Sequence, residues 1–374
     1  MKFEKALLEE WMRYYYFETD YDIGSSGVEN YSMTDLYEHT ELTRDQLDGI
    51  LFHDSMTLGG DNAREAVARR FAGGDVSKTM VTHGSTEANF LIMSALVEEG
   101  DEVLVLDPFY QQLYSVAQTM GARLKRWNMK WENGFRPQMA DLDDLLTPDT
   151  KMVVVNFPHN PTGATLTADE QAELIERCRQ ADAYLVWDGA FTELVYDTEP
   201  LPEPPLVYDK ALSMGTFSKA YGLPGLRVGW CVADPKILER FVRLRDYTLL
   251  HLSPLVELIF EKALDAGEVL VGKRLEQARH NRALLGRWID EHSEFVEWVV
   301  PAGGVCGFPR FKGGLDVEAF CHRLAQEHRT LLVPGNCFGF PEHARLGFGC
   351  STAELEKGLA AASSLLRSAP VSDG

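Results

Sequence analysis

Runs of consecutive apolar residues recur through the middle of the chain. They occupy residues 103–106, 152–155 and 184–187, and polar and turn-forming residues follow each one at once. Strands buried on both faces of a parallel sheet are continuously apolar, whereas half-buried strands alternate. Helical stretches separate the runs, so the pattern predicts an α/β domain with a mostly parallel sheet and right-handed crossovers.

The spacing of apolar and turn-forming residues predicts further elements. It predicts helices over residues 3–17, 59–71, 89–97 and 255–291, and strands over 303–310 and 331–333. Residues 20–31 include Gly24 and Gly27, and we expect them to form a loop. At 374 residues the chain is long enough for one large and one small domain.

Residues with useful chemistry follow several of these predicted strands. Residues 84–86, Gly-Ser-Thr, open a helix whose free N–H groups favour an anion, with simple capping by Ser85 as the alternative. Asn160 lies in an Asn-Pro-x-Gly turn, and Asp188 directly follows the run at 184–187. Because ligands of open α/β sheets bind at the carboxyl ends of strands, we expect these residues to share a site with Lys219.

Lys219 stands among small and hydroxyl residues in the segment 215–230, GTFSKAYGLPGLRVGW. Thr216 and Ser218 offer hydroxyl donors, and the guanidinium of Arg227 matches the geometry of a phosphate. A lysine beside an arginine in a partly dry site loses some preference for its charged form and becomes a usable nucleophile. Alone, a Ser-Lys pair is more often an ordinary surface lysine, so the assignment depends on the matching segments upstream.

This segment resembles the cofactor-lysine segment of fold-type I enzymes that depend on pyridoxal 5′-phosphate (PLP), the aspartate aminotransferase superfamily. More narrowly, residues 218–231, SKAYGLPGLRVGWC, are similar to those of the capreomycidine synthases, PLP enzymes that cyclise a hydroxylated arginine. The resemblance extends from about residue 8 to about residue 359. It implies the fold-type I PLP transferase fold and a homodimer whose sites lie at the interface.

The resemblance also implies how the chain is divided. It implies an N-terminal helix and lid segment over residues 1–45 and a large PLP-binding domain over residues 46–280. The large domain would hold the mostly parallel sheet. Residues 281–374 would form a small α+β C-terminal domain.

A role for each candidate residue follows from the same resemblance. Lys219 would hold the cofactor covalently and move the α-proton, and Asp188 would pair with the pyridine nitrogen. Tyr110 would stack on the ring, Asn160 would bond the phenolic oxygen, and Arg345 would grip the substrate α-carboxylate. Ordinary packing for Tyr110 and an exposed salt bridge for Arg345 are the alternatives. The phosphate would be held by Gly84, Ser85, Thr86, Thr216, Ser218 and Arg227.

Three positions depart from the pattern of the superfamily. Glu29 stands where the capreomycidine synthases are expected to have histidine, Asp54 where most members have tyrosine, and Phe191 where many have tyrosine. A carboxylate in place of histidine changes the proton affinity, unless Glu29 is simply a solvated loop acid. Loss of the hydroxyl at Phe191 weakens an aminotransferase interpretation. The candidates for holding a substrate guanidinium are Glu9, Ser25, Glu29 and Asp54.

The resulting hypothesis is a PLP-dependent dehydratase and cyclase of natural-product (antibiotic) biosynthesis. It would convert 3-hydroxy-L-arginine into the six-membered cyclic guanidino amino acid capreomycidine. One alternative is the same chemistry on 4-hydroxy-L-arginine, which gives the five-membered ring of enduracididine. Another is a class I/II aminotransferase that produces a 2-oxo acid, and a ligand-binding module of a regulator is the non-enzymatic alternative.

Composition narrows the range of partners and locations. Lysine and arginine number 36 against 57 acids, a formal charge of −21, which disfavours nucleic acid and anionic membranes. The six cysteines are dispersed without a C-x-x-C pair, so we expect reduced thiols and neither a disulfide framework nor a metal site. No apolar run approaches the roughly 20 residues of a membrane span. The first ten residues carry acids where an export signal is apolar, so we expect a cytoplasmic protein.

Overall fold

The computed structural model describes residues 3–368, and a seven-stranded sheet forms its centre. The strands of the chain are β1 Tyr21–Asp22, β2 Thr79–Thr82, β3 Glu102–Asp107, β4 Arg123–Asn128, β5 Thr150–Asn156, β6 Tyr184–Asp188, β7 Ala211–Thr216, β8 Gly229–Val232, β9 Val296–Glu297, β10 Cys306–Gly307, β11 Arg310–Phe311, β12 Thr330–Leu331, β13 Val333–Pro334 and β14 Ala344–Gly347. The central sheet has the order β2-β8-β7-β6-β5-β3-β4. Strand β8 runs antiparallel to both neighbours, and the other pairings are parallel.

Helices cover the sheet and connect its strands. They are α1 Leu7–Tyr15, α2 Met33–His39, α3 Arg44–Asp48, α4 Asp61–Phe71, α5 Gly84–Leu96, α6 Gln112–Thr119, α7 Leu142–Leu145, α8 Ala168–Gln180, α9 Pro235–Arg245, α10 Pro254–Asp265, α11 Gly267–Glu291, α12 Val317–His328 and α13 Thr352–Ser368. Local signals begin several of them. Helix α8, for example, begins with a capping box between Thr167 and Glu170.

The continuously apolar runs explain the position of the central strands. Residues 103–106, 152–155 and 185–187 are all buried, as expected for strands covered on both faces. Their removal from water supplies a large part of the driving force for forming this sheet. The predicted mostly parallel α/β sheet is confirmed.

Short sheets occur in the last third of the chain. Strand β14 lies between β10 and β13, and β9 pairs with β11. The N-terminal segment joins this region, because β1 pairs in parallel with β12 through Tyr21 and Thr330. Residues 20–31 therefore contain a short strand as well as the predicted loop.

Several element boundaries differ from the predicted ones. The stretch 255–291 is two helices, α10 and α11, which are separated at Ala266. The strand predicted over 303–310 is restricted to Cys306–Gly307 and the first residue of β11. Within residues 3–368, no helix has both the length and the apolar character that crossing a membrane requires.

Candidate active site

A cavity of about 960 Å³ opens where the central strands end. Asn156, Asp188 and Thr216 are the last residues of β5, β6 and β7, and all three line it. The N-terminal segment and β14 form the opposite wall. Residues that are far apart in sequence therefore meet at the edge of the sheet where α/β proteins bind ligands.

Lys219 brings a partly buried amine into this cavity. Its Nζ donates a hydrogen bond to Ser26 Oγ at 3.0 Å. Burial, together with the nearby charge of Arg345, lowers the pKa of Lys219 to about 8. The amine can therefore give up its proton near neutral pH, as a nucleophile and base must.

Asp188 is a buried acid that forms no ion pair among the described residues, although the charge of Lys219 lies near enough to favour its ionised form. Its Oδ1 accepts the N–H of Ala190 at 3.1 Å, and the residue is 6% exposed. Burial raises the pKa of Asp188 to about 7, because desolvation penalises the charged form. A cationic ligand group at this position would restore the ionised form.

The start of helix α5 faces a cluster of hydrogen-bond donors. Gly84 has a φ of +72°, and a Cβ atom placed on it would lie 3.4 Å from Arg227 Nη2 and 3.8 Å from Thr216 Oγ1. Ser218 Oγ accepts hydrogen bonds from both Thr216 Oγ1 and Arg227 Nη1 at 3.1 Å. The first N–H groups of a helix have no intrahelical acceptor, so this cluster is an anion site. We call it the anion cup: Gly84, Ser85, Thr86, Thr216, Ser218 and Arg227.

Asn160 is held in place by the end of strand β5. Asn156 accepts the backbone N–H of Asn160 at 2.8 Å and donates its amide to the carbonyl of Asp188 at 2.9 Å. The side-chain Oδ1 of Asn160 in turn accepts a hydrogen bond from Arg345 Nη1 at 3.3 Å. The turn, the buried acid and the arginine are thus connected by one hydrogen-bond network.

Arg345 provides a buried cation on β14. It is 2% exposed, and its Nε donates to the carbonyl of Gly24 at 2.9 Å. Among the described residues it forms no ion pair, and the cavity is in contact with it. A buried guanidinium without an acid is a binding site for a carboxylate, which its planar fork fits.

Tyr110 also lies in the cavity wall. Its hydroxyl donates to Glu9 Oε1 at 2.6 Å. Burial, followed by the charge of Glu9, raises the pKa of Tyr110 well above its usual value. The pair therefore joins the N-terminal helix α1 to the segment that follows strand β3.

The structure separates the four residues considered for a substrate guanidinium. Glu9 and Ser25 line the cavity. Glu29 lines it too, but its carboxylate accepts Arg274 Nη1 at 3.1 Å and Gln277 Nε2 at 2.8 Å. Asp54 is outside the cavity of its own chain, where its exposed carboxylate lies 3.2 Å from His251 Nε2.

Comparison with known proteins decides the family. The family model described as aminotransferase class I and II matches residues 43–361. The chain belongs to this family. It is 46% identical to capreomycidine synthase from Streptomyces vinaceus over 96% of this chain and 92% of that protein. It is 30% identical to the arginine–pyruvate transaminase AruH of Pseudomonas aeruginosa over 73% of this chain and 70% of that one.

Solved structures of this family agree with the fold. The PLP-dependent cyclase OrfR superposes with a TM-score of 0.93 and 41% identity, covering 98% of both chains. A PLP-dependent aminotransferase from Streptococcus suis also gives a TM-score of 0.93, with 31% identity and 98% coverage of both chains. The fold-type I assignment is therefore confirmed.

The cofactor of the family is PLP, and the residues of the cavity fit its three functional groups. The anion cup suits the phosphate, and the amine of Lys219 suits the aldehyde. Asp188 gives the sharpest test, since a buried carboxylate that forms no ion pair is unfavourable and a protonated pyridine nitrogen supplies a direct partner. The individual residue roles stay predictions, which the variants described below test.

Sequence reasoning missed three contributions to the cavity. Ser26 contacts Lys219 across a separation of 193 residues, which no local motif reveals. Asn156 orients Asn160. Asn156 directly follows the apolar run 152–155, and this position could have indicated that it lies at the site. Asp22 and Glu354 add carboxylates to the wall that the N-terminal segment and helix α13 form.

Proposed function

We propose that this enzyme is a dehydratase and cyclase that converts 3-hydroxy-L-arginine into capreomycidine. The observation that supports this proposal most directly is the distribution of charged side chains in the cavity. Arg345 lies buried in it and Lys219 partly buried, and the carboxylates of Glu9, Asp22 and Glu354 line it as well. An amino acid with a cationic side chain matches this pattern, and the similarity to capreomycidine synthase supports the specific reaction.

The residues of the cavity have separate tasks in this reaction. Arg345 binds the α-carboxylate and so orients the substrate. Lys219 Nζ takes the proton from Cα, which its lowered pKa permits. Bound PLP supplies an electron sink for the charge that develops at Cα, and ionised Asp188 keeps a positive charge at the ring nitrogen.

Ring closure then requires no net oxidation or reduction. The C3 hydroxyl leaves as water with the proton taken from Cα. A guanidine nitrogen then bonds to C3 and gives up one of its own protons, and an equivalent proton is delivered to Cα. Phe191, whose ring centroid lies 5.9 Å from Lys219 Nζ, adds an apolar wall beside the amine. This wall helps to keep bulk water away from the reacting carbon.

Product analysis by mass spectrometry tests this function. The enzyme is given 3-hydroxy- or 4-hydroxy-L-arginine in heavy water without a keto acid. Loss of one water from the 3-hydroxy isomer, with deuterium at Cα, is the expected result. Preference for the 4-hydroxy isomer with deuterium also at Cβ would move the assignment to the five-membered ring. Product formation only after a keto acid is added would establish an aminotransferase instead.

A homodimer is part of the same proposal. Exposed apolar side chains cluster on two adjacent segments, with Phe52 at 78% exposure and Tyr247 at 90%. The segments touch through Asp54 and His251. Burial of such a patch against a second copy would remove apolar surface from water.

A cytoplasmic location stays a prediction; the six cysteines are free thiols, which suits a reducing compartment.

A further inference from the structure

Ser26 is the hydrogen-bond partner of the Lys219 amine. The distance between Lys219 Nζ and Ser26 Oγ is 3.0 Å, and both residues line the cavity. Ser26 is 3% exposed, so its hydroxyl is shielded from bulk water. A hydroxyl both accepts and donates hydrogen bonds, and it can therefore take a proton on one side while releasing one on the other.

The backbone on both sides of Ser26 is fixed by close contacts. A Cβ atom on Gly347 would overlap the carbonyl oxygen of Ser25, and one on Gly349 would overlap that of Gly27. Backbone hydrogen bonds join Gly347 N to the carbonyl of Ile23 at 2.9 Å and Glu29 N to the carbonyl of Gly349 at 2.8 Å. The segment therefore presents the hydroxyl of Ser26 to Lys219 in one position, as a catalytic geometry requires.

The proposed reaction needs a proton donor that the preceding assignments do not supply. Hydroxide is a poor leaving group, so the C3 oxygen must be protonated as its bond to carbon breaks. Of the carboxylates on the wall, Asp22 accepts the N–H groups of Gly24 and Ser25, and Glu354 accepts the N–H of Asp22. Lys219 differs from them because it carries the proton just taken from Cα, and its Nζ lies 3.0 Å from Ser26 Oγ.

We propose that Ser26 relays this proton from Lys219 to the leaving hydroxyl, an inference that rests on the proposed function. The Cα–H bond breaks and its proton joins Nζ. Nζ then passes a proton to Ser26 Oγ while the original hydroxyl proton of Ser26 moves to the C3 oxygen. The C3–O bond breaks and water leaves, so that Lys219 is neutral and Ser26 is unchanged at the end.

Two reactions measured on the Ser26→Ala variant distinguish loss of the proton relay from a general loss of activity through structural damage. L-arginine has no leaving hydroxyl, so exchange of its α-proton for deuterium measures Lys219 alone. We expect this exchange to stay within about threefold of wild type, while water loss from 3-hydroxy-L-arginine falls by about 10²–10⁴-fold. Equal losses in both reactions would overturn the relay, as would normal water loss.

A measurement without cofactor tests the contact itself. The cofactor-free protein is labelled with acetic anhydride over a pH series, and the fraction of Lys219 modified is read by peptide mass spectrometry. Since Ser26 accepts an N–H of the ammonium, Ser26→Ala should move half-labelling to a pH lower by about one unit. An unchanged or raised midpoint would contradict the contact.

These measurements distinguish failure of the relay from failure of the proposed function. If wild-type enzyme releases no water from either hydroxyarginine, the proposed function is wrong, and the relay falls with it. If wild type releases water but Ser26→Ala does so equally well, only the relay is wrong.

Discussion

Burial moves the pKa values of the two central residues towards each other. The pKa of Lys219 falls to about 8 and that of Asp188 rises to about 7, in both cases chiefly because desolvation penalises the charged form. In the cofactor-free protein both groups therefore titrate close to neutral pH. Each gains a natural partner when PLP binds: the aldehyde for the amine, and the ring nitrogen for the acid.

The first prediction concerns the covalent link. Borohydride reduction of the holoenzyme, followed by digestion, should leave the mass of reduced cofactor on the peptide that contains Lys219. Lys219→Ala should show no labelled peptide and no detectable turnover. Lys210→Ala, which alters a lysine bonded to the carbonyl of Asp182 away from the cavity, serves as the matched control. Label on another lysine would contradict the assignment.

The second prediction follows from the raised pKa of Asp188. Between its unfolded value near 4 and its folded value of about 7, the folded state binds more protons than the unfolded one. This contribution therefore lowers the stability of the cofactor-free protein as pH rises through that window. Asp188→Asn removes the cost of burying the ionised carboxylate. The free energy of unfolding of this variant should therefore exceed that of wild type by an amount that grows from about pH 4 to pH 7 and then levels off, reaching about 2–4 kcal/mol.

Urea unfolding of the cofactor-free proteins at several pH values measures this difference. Asp209→Asn, a change at an exposed acid, is the control and should show no such trend. An advantage of Asp188→Asn that does not vary with pH would show that the carboxyl keeps an ordinary pKa.

At the scale of elements, glycines allow the anion cup to form. Strand β8 passes so close to helix α5 that a Cβ atom on Gly229 would overlap the carbonyl of Gly215 and lie 2.9 Å from Ser85 N. A Cβ on Gly215 would likewise overlap the Trp230 ring. The first turn of α5 can therefore reach the end of β7 only because these side chains are absent.

The third prediction tests this packing. Gly229→Ala should push the start of α5 away from Thr216, cost about 1–3 kcal/mol of stability and weaken PLP binding by at least about tenfold. Thermal unfolding with and without PLP and a fluorescence titration measure both effects. Gly225→Ala is the matched control, since a Cβ there meets no atom within 4 Å. Unaltered PLP affinity in Gly229→Ala would contradict the assignment of the anion cup as the phosphate site.

The fourth prediction concerns the N-terminal segment. Gly347→Ala should displace residues 24–27 from β14 because the new Cβ overlaps the carbonyl of Ser25. We expect PLP binding within about threefold of wild type but a fall of at least about tenfold in kcat/KM for hydroxyarginine, since misplaced groups lose orientation. Gly272→Ala on helix α11, where a Cβ meets nothing within 4 Å, is the control. Unchanged kcat/KM would show that the segment does not shape the site.

At the scale of the whole molecule, the exposed apolar side chains are unevenly placed. Leu51, Phe52 and Met56 precede helix α4, and Tyr247, Leu249 and Leu250 follow helix α9. Arg245 Nη1 donates to the carbonyl of Thr57, which keeps the two segments together. Exposed apolar side chains on two adjoining segments are expected of a surface that a second copy covers.

The fifth prediction is therefore that charge at this patch dissociates the enzyme. The double change Leu51→Glu and Phe52→Glu should convert a dimer into a monomer, because it places paired acids in an apolar interface. Size-exclusion chromatography with light scattering gives the mass. Val300→Glu, at a site that is 59% exposed, is the control and should stay dimeric. A monomeric wild type, or a dimeric double variant, would contradict the proposed assembly.

Much of the architecture was predictable because local signals dominate it. The apolar runs at 152–155 and 184–187 are typical of strands in a doubly covered sheet, and both are central strands. The start of helix α11 was missed, although Gly267 follows the separation at Ala266, because an isolated glycine inside a helical pattern does not by itself end a helix. The short strands after residue 295 were also poorly predicted, because two-residue strands depend on their partners more than on their own sequence.

By itself, the sequence determined the sheet, the segment around Lys219 and the polar residues at strand ends, because chain order, periodicity and resemblance carry that information. Only the tertiary structure decided which side chains meet. It put Ser26 against Lys219, occupied Glu29 with Arg274 and left Asp54 outside the cavity. Such contacts join residues about 200 or more positions apart, and they depend on packing of the N-terminal segment against β14 and helix α11, which no local pattern encodes.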